Sequence, residues 1–249
     1  MSISPFEQFS NPVLFLPIPL ISLGFTKLTL YGLFILVILG GIWILPIINN
    51  NQLLVSTRWS VTTETLYSSV SSILSDQVGE GFSEYVPVTI GLFTFILIAN
   101  LISNVPYSYG FTTSVIVCLG LSITIFIGVT ILGIVIHGIT WFSFFVPAGT
   151  PLILVPLLVL IEFISYIARA FSLGVRLFAN ILAGHVLLNV ISTMIWLICT
   201  SGILYAIIGL IPFSIFIALF VLELAVSCIQ SFVFTLLFAS YLNDAINLH

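Results

Sequence analysis

Residues 157–200 read LLVLIEFISYIARAFSLGVRLFANILAGHVLLNVISTMIWLICT, with no proline and no strong turn dipeptide before Ser201-Gly202. A helix over 157–200 would be about 65 Å long at ~1.5 Å per residue. The hydrocarbon core of a bilayer is only ~30 Å thick. The segment therefore either hides a turn or lies strongly tilted. A second long apolar run, 203–242, poses the same question.

The polar residues in these two runs are few and ordered. On a helical wheel at ~100° per residue, Glu162, Ser165, Arg169, Ser172, Arg176 and Asn180 all fall within ~40° of Arg176. His185 lies ~180° away, on the side of Asn189, so the helix carries two polar faces offset along its length. In the second run Glu223, Ser227 and Gln230 share a face, and Asp244 follows near the end. Ionisable residues within spans are costly and mark ion pathways or ligands by default.

Each of these has an ordinary reading. Arg169 can pair with Glu162 two turns away or snorkel to an interface. His185 and Glu223 can form a structural hydrogen-bonded pair, but a His–Glu pair in a wet membrane cavity is also what a proton relay needs. Arg176 has no carboxylate at i±3 or i±4. A guanidinium buried without a partner is too costly to keep, so its partner is expected on another subunit. His137 and His249 are expected at interfaces.

The rest of the chain agrees on the solvent. Of 249 residues, 60% are hydrophobic and 5% charged, where a soluble domain carries about 25% charged residues. With Lys+Arg 4 and net charge −4, no basic patch exists for nucleic acid. Cys118, Cys199 and Cys228 lie far apart in apolar runs, without metal-ligand or disulfide spacing. No metal or cofactor is expected. Three His are too few for a bis-haem cytochrome or a haem–copper oxidase, and Lys27 is the only lysine, which argues against antiporter-like subunits. No removable targeting segment is expected, because no Lys or Arg precedes Lys27.

The chain is read as one all-α integral membrane domain, 1–249. An N-terminal segment, 1–27, has prolines at 12, 17 and 19 and is expected to be irregular over 13–23. A span over 28–48 ends at Asn49-Asn50-Asn51. Residues 52–78 are rich in Ser and Thr, yet Trp59, Leu66, Val70, Ile73 and Leu74 recur at helical steps, predicting an amphipathic helix on the membrane surface. Spans at 86–104 and 112–136 form a hairpin around a Pro-, Gly- and Tyr-containing loop. Two long segments, 151–200 and 203–245, complete the chain. A secondary transporter binding an anionic solute through the same Arg and carboxylates is the alternative, although no internal repeat of the kind transporters use is visible.

The run SYIARAFSLGVRLFANILAGH, Ser165 to His185, is very similar to the signature of subunit a of the F-type ATP synthase, the fungal mitochondrial form in particular. Asn100-Leu-Ile-Ser-Asn-Val-Pro-Tyr107, Phe145-Val-Pro-Ala-Gly-Thr-Pro151 and Ala239-Ser-Tyr-Leu-Asn-Asp244 extend the resemblance. It implies one span, one surface helix, a two-span hairpin and two long, strongly tilted antiparallel helices, with the N-terminus on the intermembrane side.

The resemblance also implies a stator subunit of the mitochondrial inner membrane, beside a rotating ring of c-subunits that each carry a membrane carboxylate. Peripheral-stalk and small membrane subunits would be further partners, together with the lipid bilayer. Such a subunit is not an enzyme on its own. It passes protons to and from the ring through two offset aqueous half-channels. Arg176 resembles the family's essential arginine, the charge barrier against a direct leak. Asn180, His185, Glu223 and Gln230 occupy positions linked to proton transfer, with Arg169 and Ser172 supporting. If Ser201-Gly202 begins the turn, equal rise per residue brings His185 to Glu223 and Glu162 to Asp244. The two acids would then line the matrix-side half-channel. A turn at Gly209-Leu-Ile-Pro212 would separate both pairs.

Overall fold

A computed structural model of the protein describes residues 13–15, 25–50, 58–79, 82–105, 110–146, 154–200, 202 and 209–247. Among the described residues, six α-helices carry the architecture: α1 (Lys27–Asn50), α2 (Arg58–Val78), α3 (Val86–Ser103), α4 (Val115–His137), α5 (Val155–Thr200) and α6 (Leu210–Ile246). The protein is an all-α membrane protein, and every helix but α2 is long and apolar enough to cross a bilayer. The segment expected to be irregular differs in one detail. Val13–Phe15 (β1) pairs antiparallel with Phe25–Thr26 (β2) as a minimal ribbon, in a stretch whose prolines forbid helix but not a short strand. Residues 51–57, 106–109, 147–153 and 203–208 belong to other expected segments and lie outside the described residues.

Three helices begin with a proline in their first turn: Pro87 in α3, Pro156 in α5 and Pro212 in α6. The missing N–H is one that a helix start leaves unsatisfied anyway, so proline there starts helices without breaking them. With no proline inside it after Pro156, α5 runs for 46 residues, about 69 Å at ~1.5 Å per residue. No turn interrupts it. Past its end Gly202 has φ +144°, a backbone conformation that side-chain-bearing residues avoid.

The chain divides into two compact units. One comprises Met1–Trp43, Thr94–Ser114 and Leu177–Ser231. Its core mixes apolar and polar groups: Ile35, Ile96 and Ile181 are buried together with Asn100, Ser103, Ser227 and Gln230. The Phe111 ring packs edge-on against Phe95 and fits over Gly32, where an added Cβ would lie 3.2 Å from Phe111 Cε2. Small side chains on one helix make room for large ones on the next.

The other unit comprises Ile44–Phe93, Val115–Arg176 and Phe232–His249. Here α4 and α5 approach closely. A Cβ at Gly174 would lie 3.0 Å from the Cys118 carbonyl oxygen, and Ser122 Oγ donates to the Ala170 carbonyl. Small residues at such crossings let backbones approach where lipid offers no hydrophobic drive for association. After α4, Gly138 (φ +59°) turns the chain into a 3₁₀ segment, Gly138–Phe145. That segment places Trp141 and Phe145 against Tyr166 of α5. His137 Nε2 donates to the Ile246 carbonyl, 3.0 Å, satisfying an acceptor that the end of α6 leaves open.

Helix α2 also lies in this second unit. It buries Val70, Leu74 and Val78 along one stripe, while Trp59 stays exposed. Its hydroxyls bond back to carbonyls three or four residues earlier, for example Ser69 to Thr65 and Ser72 to Ser69. These hydroxyls are thus satisfied locally.

Candidate functional site

Within the first unit, α3, α5 and α6 bring together a cluster of polar groups. Asn180 Nδ2 on α5 donates to Gln230 Oε1 on α6, 3.0 Å. One turn further along α5, Gly184 meets Glu223 of α6; a Cβ there would lie 2.6 Å from Glu223 Oε1. His185, the next residue, hydrogen-bonds to the backbone of Ser103 in α3. Both contacts with α6 fit the register that a turn near Ser201-Gly202 gives.

Glu223 is the centre of this cluster. It is 5% exposed, and neither of its carboxyl oxygens accepts a hydrogen bond from a described residue. A direct His185–Glu223 hydrogen bond is therefore not made, although the two lie on facing helices at adjacent levels. Glu223, Asn180 and Gly184 border a cavity of about 320 Å³, otherwise lined by leucines and other apolar side chains. A single water needs only ~10–15 Å³ by the same measure, so the space admits a chain of waters. Gln230 Nε2 is likewise buried, with no partner among the described residues.

Within the second unit, Arg169 gathers two acids. Its Nη2 lies 3.0 Å from Glu162 Oε1, and its Nη1 lies 3.8 Å from Asp244 Oδ2. Glu162 and Asp244 are thus near one another, as the register argument expects, but with a guanidinium between them. Arg169, Ser165, Ser172, Arg176 and Tyr241 line a second cavity, again about 320 Å³. Arg176 is exposed, and among the described residues it has no ion-pair partner within 4 Å. The fixed cation faces outward while its neighbour is neutralised.

Sequence reasoning left one part of the first cluster unassigned. Asn104 Nδ2 donates to Ser227 Oγ, 2.8 Å, and to the Glu223 carbonyl, 3.4 Å; Asn100 Nδ2 donates to the Ser227 carbonyl, 3.5 Å. Two asparagines one turn apart at the end of an apolar span were the available signal. An amide in lipid needs partners as surely as a charge does.

Buried amides and hydroxyls and a carboxyl beside a cavity, together with five span-capable helices among the described residues, define a multi-pass helical membrane protein with polar sites inside its spans. The profile of the family described as ATP synthase A chain matches residues 29–243. The chain is 48% identical over 250 residues to ATP synthase subunit a of Mycosarcoma maydis, covering 99% of this chain and 98% of that one. It is 46% identical to the Neurospora crassa subunit a, covering 99% and 95%, and 41% identical to that of Saccharomyces cerevisiae, covering 99% and 96%. The chain belongs to the ATP synthase A chain family, whose members are components of the ATP synthase complex and serve ATP synthesis and proton transport. The transporter alternative is thereby set aside.

Proposed function

We propose that this subunit, in the mitochondrial inner membrane, conducts protons between each aqueous side and the carboxylates of a rotating c-subunit ring, held in place by stalk and small membrane subunits. The observation that carries the reading is the contrast between the two cavities. One holds a buried, protonatable Glu223 whose carboxyl makes no hydrogen bond to a described residue; the other holds Arg176, exposed and without an acid within ion-pairing range among the described residues. Glu223 and His185, with Asn180 and Gln230, form the entry-side relay. The carboxyl of Glu223 passes its proton by way of cavity water, and His185 takes part through its ring nitrogens. Glu162 and Asp244 take the proton on the exit side, with Arg169 holding them and Ser172 and Ser165 offering hydroxyls to water.

Arg176 makes the two halves separate. In lipid a carboxylic acid is stable in its neutral form; opposite a guanidinium, the carboxylate is favoured. A ring carboxylate reaching Arg176 gives up its proton, crosses as an ion pair and reloads beyond it. No proton passes directly, because a fixed cation repels it. The membrane potential supplies ~2.3 kcal/mol per charge per 100 mV, all of which a leak would dissipate. The length of α5, more than twice the hydrocarbon thickness, supports a tilted course along the ring.

Arg176→Lys tests the barrier, since an ammonium is a movable point charge that can lose its proton when buried. ATP synthesis by the assembled complex should be lost. Full ATP-driven proton pumping by the variant would overturn the reading.

A further inference from the structure

The last turn of α3 touches both halves of the relay without belonging to it. Asn100 in the last turn of α3 and Asn104, the residue just past its end, lie one turn apart, and Glu223 and Ser227 lie one turn apart on α6, so the spacing of one pair matches that of the other. The amide of Asn104 spans the gap at both levels, reaching Ser227 Oγ at 2.8 Å and the Glu223 carbonyl at 3.4 Å. Asn100 adds a bond to the Ser227 carbonyl. Between them, the backbone of Ser103 receives His185 from α5. Asn100 and Ser227 are fully buried and Asn104 nearly so. A leucine would fill these positions in an apolar span without needing any partner, so packing alone gives no reason for two amides.

We propose that Asn104, supported by Asn100, is a positioning residue for proton transfer: it fixes the backbone of α6 at Glu223 so that the carboxyl stays seated over Gly184 and facing the cavity. The inference rests on the reading of Glu223 as a relay group. The argument is geometric. The Glu223 side chain has no hydrogen bond to a described residue to set its direction. What sets it is the niche at Gly184 on one side and the anchored backbone on the other. The Oδ1 atoms of Asn100 and Asn104 are also buried and accept no hydrogen bond from a described residue, so both amides act on α6 through their Nδ2 donors.

The test is passive proton flux through the assembled complex in phospholipid vesicles, measured across a range of pH. Asn104→Leu removes the anchor, and Ser227→Ala removes one of its acceptors. Each should lower flux roughly three- to twentyfold, given that hydrogen bonds between membrane helices are worth ~0.6 to 1.7 kcal/mol. Each should also displace the pH midpoint of flux, because the carboxyl changes surroundings. His185 is the other titratable group at the cluster, and α3 brings none to it. The double variant should be no worse than Asn104→Leu alone.

Unchanged flux, losses that multiply, or a loss with an undisplaced pH midpoint would overturn the proposal. The last of these is what a merely structural contact gives. If Asn104→Leu fails to assemble, Ser227→Ala, which deletes one oxygen, decides by the same flux and midpoint. Glu223→Gln run alongside separates the two readings. Unchanged flux there refutes the relay, whereas a loss there with intact flux in Asn104→Leu refutes only the positioning role.

Discussion

Gly184 shows how narrow the seat of Glu223 is. An added Cβ would stand 2.6 Å from Oε1, 2.7 Å from Cδ and 3.0 Å from Cγ of Glu223, so Gly184→Ala must drive the carboxyl out of its position. Overpacking of this kind costs about 1–3 kcal/mol, and, on the relay role proposed for Glu223, its displacement should cut proton flux about tenfold for each ~1.4 kcal/mol. Glu223→Asp, one methylene shorter, should return part of the flux in the Gly184→Ala background. Unchanged flux in Gly184→Ala would mean that the carboxyl position is irrelevant. At this scale the sequence was most informative about the ionisable residues, because each stands out against an apolar background. It also separated the two arginines, since Arg169 has Glu162 two turns away and Arg176 has no acid at i±3 or i±4. The structure adds that Asp244, 75 positions later, comes round to Arg169 as well.

At the scale of elements, the long helices were legible because proline is confined to their first turns and α5 has none after Pro156. The register of α5 against α6 was less so. The chain offered two turn signals, and only contacts such as Asn180 with Gln230 select between them. The role of α3 was illegible for a different reason: its asparagines acquire partners only from a helix more than 100 residues away. In the second unit, Glu162 and Asp244 both reach Arg169, which makes α5 and α6 antiparallel neighbours there. Cysteines at 162 and 244, with Cys118, Cys199 and Cys228 replaced, should be joined readily by a short bifunctional thiol reagent. Efficient joining of 176 to 244 instead, with none between 162 and 244, would refute this pairing.

At the scale of the whole molecule, the surface says what the chain needs around it. Leu157, Leu160, Ile161 and Ile164 of α5 and Val221 and Leu222 of α6 are each more than half exposed. Such a surface is stable only against lipid or other apolar protein. Arg176 is exposed as well, yet it sits in an apolar stretch where a lone guanidinium against lipid is costly, however much snorkelling and water defects relieve it. Lipid can cover the leucines, but it cannot pair with the arginine at the depth of a span. A protein surface carrying carboxylates can do both, and no described acid of this chain is left within ion-pairing distance of Arg176. On the function proposed above, the isolated subunit is incomplete as a conductor: it supplies the cavities and the barrier, and the carrier that moves protons between them is a partner's carboxylate. The purified chain inserted alone into vesicles should pass no protons under an imposed potential and should catalyse no solute counterflow. The intact membrane sector, inserted at the same density, should conduct. Proton conduction by the lone chain, comparable with that of the membrane sector, would show a continuous path past Arg176 and remove the need for a moving carrier.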